Sequence, residues 1–166
     1  RAAVQGNRDA QYNLAVAYAF GEGVAQDDAE AVTWYRRAAE QGSAIAQYSL
    51  GVSYALGEGV SQDNAEAAKW YRAAAEQGYA AAQYNLGYCY RAGQGVEADD
   101  SLALQWFAAA ARNGHASAQY SLGYMYRSGR GAARNLDEAI RWYRLAAAQG
   151  HPDARADLAS LNTDDL

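Results

Sequence analysis

GEGVAQDD, residues 21–28, sets two glycines around a glutamate and follows them with paired aspartates. Taken alone, the stretch reads as a phosphate cradle, a calcium loop or a bend in the chain. It returns as GEGVSQDN from Gly57, GQGVEADD from Gly93 and GRGAARNL from Gly129, each time 36 residues on. A dinucleotide-binding turn needs a preceding strand and a third glycine. A calcium loop needs alternating oxygen ligands closed by a bidentate glutamate about 12 residues from the first. Neither pattern is met, whereas recurrence at a fixed period of this size marks a solenoid of stacked units. The stretch is read as a turn, and no cofactor or metal is expected.

Working outward, Gly6, Gly42, Gly78, Gly114 and Gly150 keep the 36-residue spacing without an insertion. They bound four units, 6–41, 42–77, 78–113 and 114–149, and a half unit, 150–166, whose Arg155 and Ala156 replace the usual Gln and Tyr. That half unit is read as a terminal cap. The opening RAAVQG matches RAAEQG at 37–42, so residues 1–5 read as the end of a preceding repeat and the chain as part of a longer protein. Within each unit an AQYxL segment follows the glycine. Ala10, Leu14 and Tyr18 stand four apart on one face and predict a first helix, A. After the GxG turn, Asp27, Asp63, Asp99 and Asn135 are suited to cap a second helix, B. Glu30, Glu66 and Glu138 stand three residues on, as a reciprocal capping box requires. In helix B, Ala31, Trp34 and Ala38 recur as Ala139, Trp142 and Ala146. Such hairpins cannot bury their apolar faces alone, so the fold class is all-α: an α-solenoid superhelix with a concave and a convex side.

Composition agrees. Half the residues (51%) are apolar and 12% aromatic, which a folded chain needs. A net charge of -5 argues against nucleic acid as a partner, and no apolar run is long enough to insert into a membrane. One cysteine precludes an internal disulfide framework and leaves the compartment open.

The signature AQYxLGxxYxxGxGV, then Asp, then AxxWYxxAA, is met by Ala82, Gln83, Tyr84, Leu86, Gly87, Tyr90, Gly93, Gly95, Val96, Asp99, Ala103, Trp106 and Ala109. It resembles Sel-one-like repeats, a subclass of tetratricopeptide-like α-solenoids. Departures are Ala15 for the helix A glycine of unit one, Ala132 for the valine of unit four and Phe107 for the second helix B aromatic of unit three. The resemblance implies a non-enzymatic scaffold or adaptor that holds a protein or peptide along a concave groove lined by helix A. It also leans towards a bacterial source and towards the periplasm or secretion. A cysteine-rich bacterial branch of the family binds β-lactams, which makes a cell-wall-related, enzyme-like protein the alternative. Three of the four units here carry no cysteine. An architectural spacer in a larger protein is a further reading, and a monomer is expected.

Residues that vary between units are the ones the fold does not explain. Tyr79, Tyr88 and Tyr124 lie off the repeated template, and the last two replace Val16 and Val52. With Asn13, Phe20, Ser49, Leu56, Asn85 and Ser121 they form one stripe on helix A, at spacings of three and four. Arg91 and Arg127 follow three residues beyond the two tyrosines. This stripe, on the face that the resemblance assigns to the groove, is the candidate partner-binding site. Unit charges run -3, -2, -1 and +3, so an acidic ligand end over unit four and an apolar segment over Val16, Phe20, Val52 and Leu56 are expected. His115 and His151, one repeat apart, are too widely spaced to share a metal. Cys89, beside Tyr88, reads as a semi-buried structural thiol, and no catalytic constellation is expected.

Overall fold

The computed structural model describes residues 3 and 5–164; of the segment assigned to a preceding repeat, residues 1, 2 and 4 lie outside it. Among the described residues there are nine helices and no strands: α1 (Arg8–Phe20), α2 (Asp28–Glu40), α3 (Ala44–Leu56), α4 (Asn64–Glu76), α5 (Ala80–Ala92), α6 (Asp100–Arg112), α7 (Ala116–Ser128), α8 (Leu136–Ala148) and α9 (Pro152–Asp164). Each helix packs against the helices before and after it in the chain. The result is the α-solenoid that the 36-residue period predicts, with odd-numbered A helices and even-numbered B helices.

The turn between the two helices is set by glycine chemistry. Gly21 and Gly23 both have positive φ, 69° and 76°, which glycine adopts without a Cβ penalty. In the later units the second glycine also permits a contact between repeats. A Cβ on Gly59 would stand 2.0 Å from the Asp28 carbonyl oxygen, and one on Gly95 would stand 1.9 Å from that of Asn64. The GxG turn of one unit therefore rests on the first turn of helix B in the unit before.

Helix B begins as expected on its Asp or Asn. Asp27 Oδ1 accepts hydrogen bonds from the amides of Ala29 and Glu30, both at 3.0 Å. The reciprocal half of the capping box is not used. The Asp27 amide donates instead to the Tyr18 carbonyl at 3.0 Å, and those of Asp63, Asp99 and Asn135 do the same to Tyr54, Tyr90 and Tyr126. With that amide already engaged in closing the turn, Glu66 and Glu138 reach Lys69 and Arg141 one turn along.

The core repeats with the sequence. Leu50, Leu86 and Leu122 are buried, as is the second aromatic of helix B, Tyr71, Phe107 or Tyr143. A Cβ on Gly51 would stand 2.7 Å from the Tyr71 ring, and one on Gly87 would stand 2.8 Å from that of Phe107. The helix A glycine thus makes room for this aromatic. The tryptophan beside it is less enclosed: Trp70 is half-buried, with the Lys69 ammonium 5.8 Å from its ring.

A chain of buried amides runs along the seam between repeats. Gln47 Nε2 donates to the Ala39 carbonyl of the preceding unit at 3.1 Å, and its Oε1 accepts from Gln77 Nε2 at 2.7 Å. Gln83 repeats this with Ala75 and Asn113, and Gln119 with Ala111 and Gln149. Gln11 bonds the Ala3 carbonyl in the same way. Each side-chain amide is a second donor to a carbonyl that already accepts the main-chain amide of the turn glycine three residues on, Gly6, Gly42, Gly78 or Gly114.

Candidate binding groove

Because every A helix is followed by its own B helix, successive A helices are held apart, and side chains from the A helices line the gaps. Three pockets follow one another along this face. The first, about 540 Å³, lies between α1 and α3 and is lined by Val16, Phe20, Ser49 and Val52, with Tyr12, Tyr35 and Tyr48 at its base. The second, about 310 Å³, takes Leu56, Asn85 and Tyr88. The third, about 400 Å³, takes Arg91, Ser121, Tyr120 and Tyr124. Ten of the twelve stripe residues thus line pockets in one row.

Their exposure is uneven. Phe20 is 71% and Leu56 62% exposed, and Tyr88 and Tyr124 are each 39% exposed, a sizeable apolar surface to leave in water. Ser121 is buried. Asn13 is exposed and lines none of the three pockets. Arg127 is engaged within the chain, its Nη1 3.1 Å from Asp157 Oδ1 on α9.

Tyr79, the third tyrosine off the template, stacks on the preceding unit: its ring centroid lies 5.2 Å from that of Tyr48. His115 on Tyr84 (4.8 Å) and His151 on Tyr120 (4.6 Å) fill the same place. His115 Nδ1 also accepts the Ala118 amide at 3.2 Å, which makes it a helix cap, and burial pushes its pKa down. No group of acidic, histidine or cysteine side chains able to hold a metal occurs among the described residues. Cys89 is buried, and burial raises its thiol pKa to about 11.

The pockets also hold polar residues outside the predicted stripe, among them Asp28 and Glu58 in the first and Asn64 and Gln94 in the second. These four belong to the turn and the helix B start, which were read as purely structural. The available signal was variation inside an otherwise constant turn: Glu22, Glu58, Gln94 and Arg130 between the glycines, and Asp28, Asn64, Asp100 and Leu136 after the cap.

Stacked helical hairpins with a capped two-glycine turn define a tetratricopeptide-like α-solenoid. The Sel1 repeat model matches residues 8–43, 44–79, 80–115 and 116–151, and the chain belongs to the Sel1 repeat family. Its register is two residues later than the glycine-to-glycine units. Proteins of this family are generally protein-interaction scaffolds and typically non-catalytic. No curated protein sequence matches the chain. Among solved structures it is similar to c5321, a protective antigen of uropathogenic Escherichia coli with an SLR fold: 44% identity, 96% of this chain, 34% of that one, TM-score 0.94. It is also similar to a Sel1 repeat protein from Oxalobacter formigenes: 39% identity, 94% and 64% coverage, TM-score 0.90. It therefore spans about a third and just under two thirds of these two proteins. Helicobacter pylori cysteine rich protein B is 26% identical over 80% of this chain and 96% of its own, with a TM-score of 0.63. No described helix is long and apolar enough to cross a membrane.

Proposed function

We propose that this chain is a non-catalytic scaffold that holds a peptide or a segment of a partner protein along the row of pockets between its A helices. The observation that carries this reading is the exposed series Phe20, Leu56, Tyr88 and Tyr124, which leaves the repeated core template and lines adjoining pockets. Tyrosine offers a broad apolar ring and a hydroxyl at small entropic cost, which is why it concentrates binding energy at interfaces. Arg91, whose guanidinium lies 5.1 Å from the Tyr88 ring, adds a planar donor beside it.

The test is selection of a displayed random twelve-residue peptide library against the chain, followed by titration of the enriched peptides. Tyr88→Ala combined with Tyr124→Ala is expected to weaken them by about 2 kcal/mol or more, the scale of an interface hot spot, while the thermal melt stays in place. Undiminished affinity would remove this face as the site.

A further inference from the structure

The pockets change charge along the row. In the first, Asp28 and Glu58 stand at the mouth of an apolar trough formed by Val16, Phe20 and Val52. At the corresponding place in the second, the two positions are Asn64 and Gln94, both neutral. One repeat further on they are Asp100 and Arg130, which close on each other through two hydrogen bonds of 3.0 Å. The same pair of positions is thus self-neutralised at one end of the row and doubly acidic at the other. Among the described residues neither Asp28 nor Glu58 has a cationic partner.

The first pocket therefore offers two carboxylates without an internal counter-ion beside an apolar trough, and a cation seated there is attracted by both. The opposite end has the complementary excess. Arg127 and Arg130 are paired internally with Asp157 and Asp100. Arg91, at the third pocket, lies over the rings of Tyr88 and Phe107 and has no ion pair among the described residues. Of the two arginines at the third pocket, Arg130 is paired with Asp100, and Arg91 of unit three is the one without an acidic partner among the described residues.

We infer that the occupant of this row is a peptide segment of fixed polarity. A lysine or arginine sits between Asp28 and Glu58, aliphatic or aromatic side chains lie over Phe20, Val52 and Leu56, and a carboxylate meets Arg91. Two helix diameters separate the first and third pockets, about 20 Å, which an extended chain covers in about six residues. The inference rests on the scaffold reading above and adds the chemistry of the occupant. Charge complementarity at two separated points fixes the direction in which the segment lies, which a purely apolar groove would not do.

The same selected peptides test it. They are expected to carry a basic residue and a carboxylate about six residues apart, with apolar residues between. Asp28→Asn with Glu58→Gln should weaken them by roughly tenfold, and Arg91→Gln by a similar factor, both differences shrinking at high salt. Amidating the carboxyl terminus separates the two sources of the carboxylate: loss of binding assigns it to the chain end, retention to an Asp or Glu side chain. Peptides that lack a basic residue, or that bind the charge variants undiminished, overturn the polarity. If those peptides are still weakened by Phe20→Ser and Leu56→Ser, the groove stands without it. If they ignore these two as well, or if nothing is enriched over an unrelated α-solenoid, both readings fall.

Discussion

Arg127 on α7 and Asp157 on α9 form an ion pair with a nitrogen–oxygen distance of 3.1 Å. Asp157 occupies in α9 the register position that Asn13, Ser49, Asn85 and Ser121 hold in the A helices, so the final helix places a carboxylate where the other units present a neutral groove residue. Arg127 also lies beside the buried Tyr143 phenol. Asp157→Ala is expected to lower stability by about 1 kcal/mol, the upper part of the range for partly exposed pairs. A double-mutant cycle with Arg127→Ala in urea should return most of that figure as coupling; additive effects would show that the pair contributes nothing.

Gly59 and Gly23 share a turn position and nearly the same φ, 69° and 76°, yet only Gly59 lies against a neighbouring carbonyl. Gly23→Ala should cost about 1–2 kcal/mol, the penalty of the left-handed conformation. Gly59→Ala should cost at least about 2 kcal/mol more, because the units must part to admit the methyl group. Equal losses in denaturant melts would mean that the turn does not bear on the preceding repeat.

The seam amides are expected to matter more than their polarity advertises. Gln83→Leu removes one partner of the Ala75 carbonyl and one of the exposed Asn113 amide, which keeps its bond to the Gly78 carbonyl, for a predicted loss of about 1–2 kcal/mol. Gln62, which donates to the Ala55 carbonyl at 2.8 Å from an exposed position, serves as the control, with Gln62→Leu predicted to cost about 0.5 kcal/mol. Circular dichroism melts of the two variants decide the order.

Phe107, fully buried against Gly87, should lose about 3–5 kcal/mol on substitution by alanine. Trp70→Ala, at a half-buried ring, should lose less, about 2 kcal/mol. The reverse ranking would put the tryptophan at the centre of the hairpin.

Stability should have a plateau bounded on both sides. Burial lowers the folded pKa of His115 from 6.5, so below that value the unfolded chain takes up the proton more readily and stability falls with pH. Burial raises Cys89 from 9.0 to about 11 and the phenols of Tyr35 and Tyr143 from 10.0 to about 12. Their contribution is complete below about pH 9 and drains away as pH climbs towards 12. Urea midpoints measured from pH 5 to 11 check this, and an optimum below pH 6 would contradict it. The Cys89 thiol should stay inert to a disulfide reagent at pH 8 until the chain unfolds.

The helices, their caps and their order were legible in the sequence because each depends on contacts a few residues apart, repeated four times in register. Interactions that span two units were not. The glutamates looked like capping-box partners, but the Asp27 amide they would have met is taken by Tyr18 across the turn. Arg127 looked like a groove residue because its partner lies 30 positions away, in a half unit with altered sequence. Asp28 and Glu58 passed as turn residues, since only the stacking of one unit on the next brings them to a single pocket.

The seam of amides carries an implication for how such a chain acquires its length. Gln47, Gln83 and Gln119 each reach a main-chain carbonyl, an acceptor that every residue type supplies, and each is met by an amide of its own hairpin. These bonds are therefore blind to the side chains of the unit that supplies the acceptor. A unit cut at its glycine boundaries would carry these bonds with it if it were duplicated, deleted or moved in frame, whatever side chains its exposed A-helix positions held. Chains of different lengths and different ligand preferences can in this way descend from one hairpin by recombination.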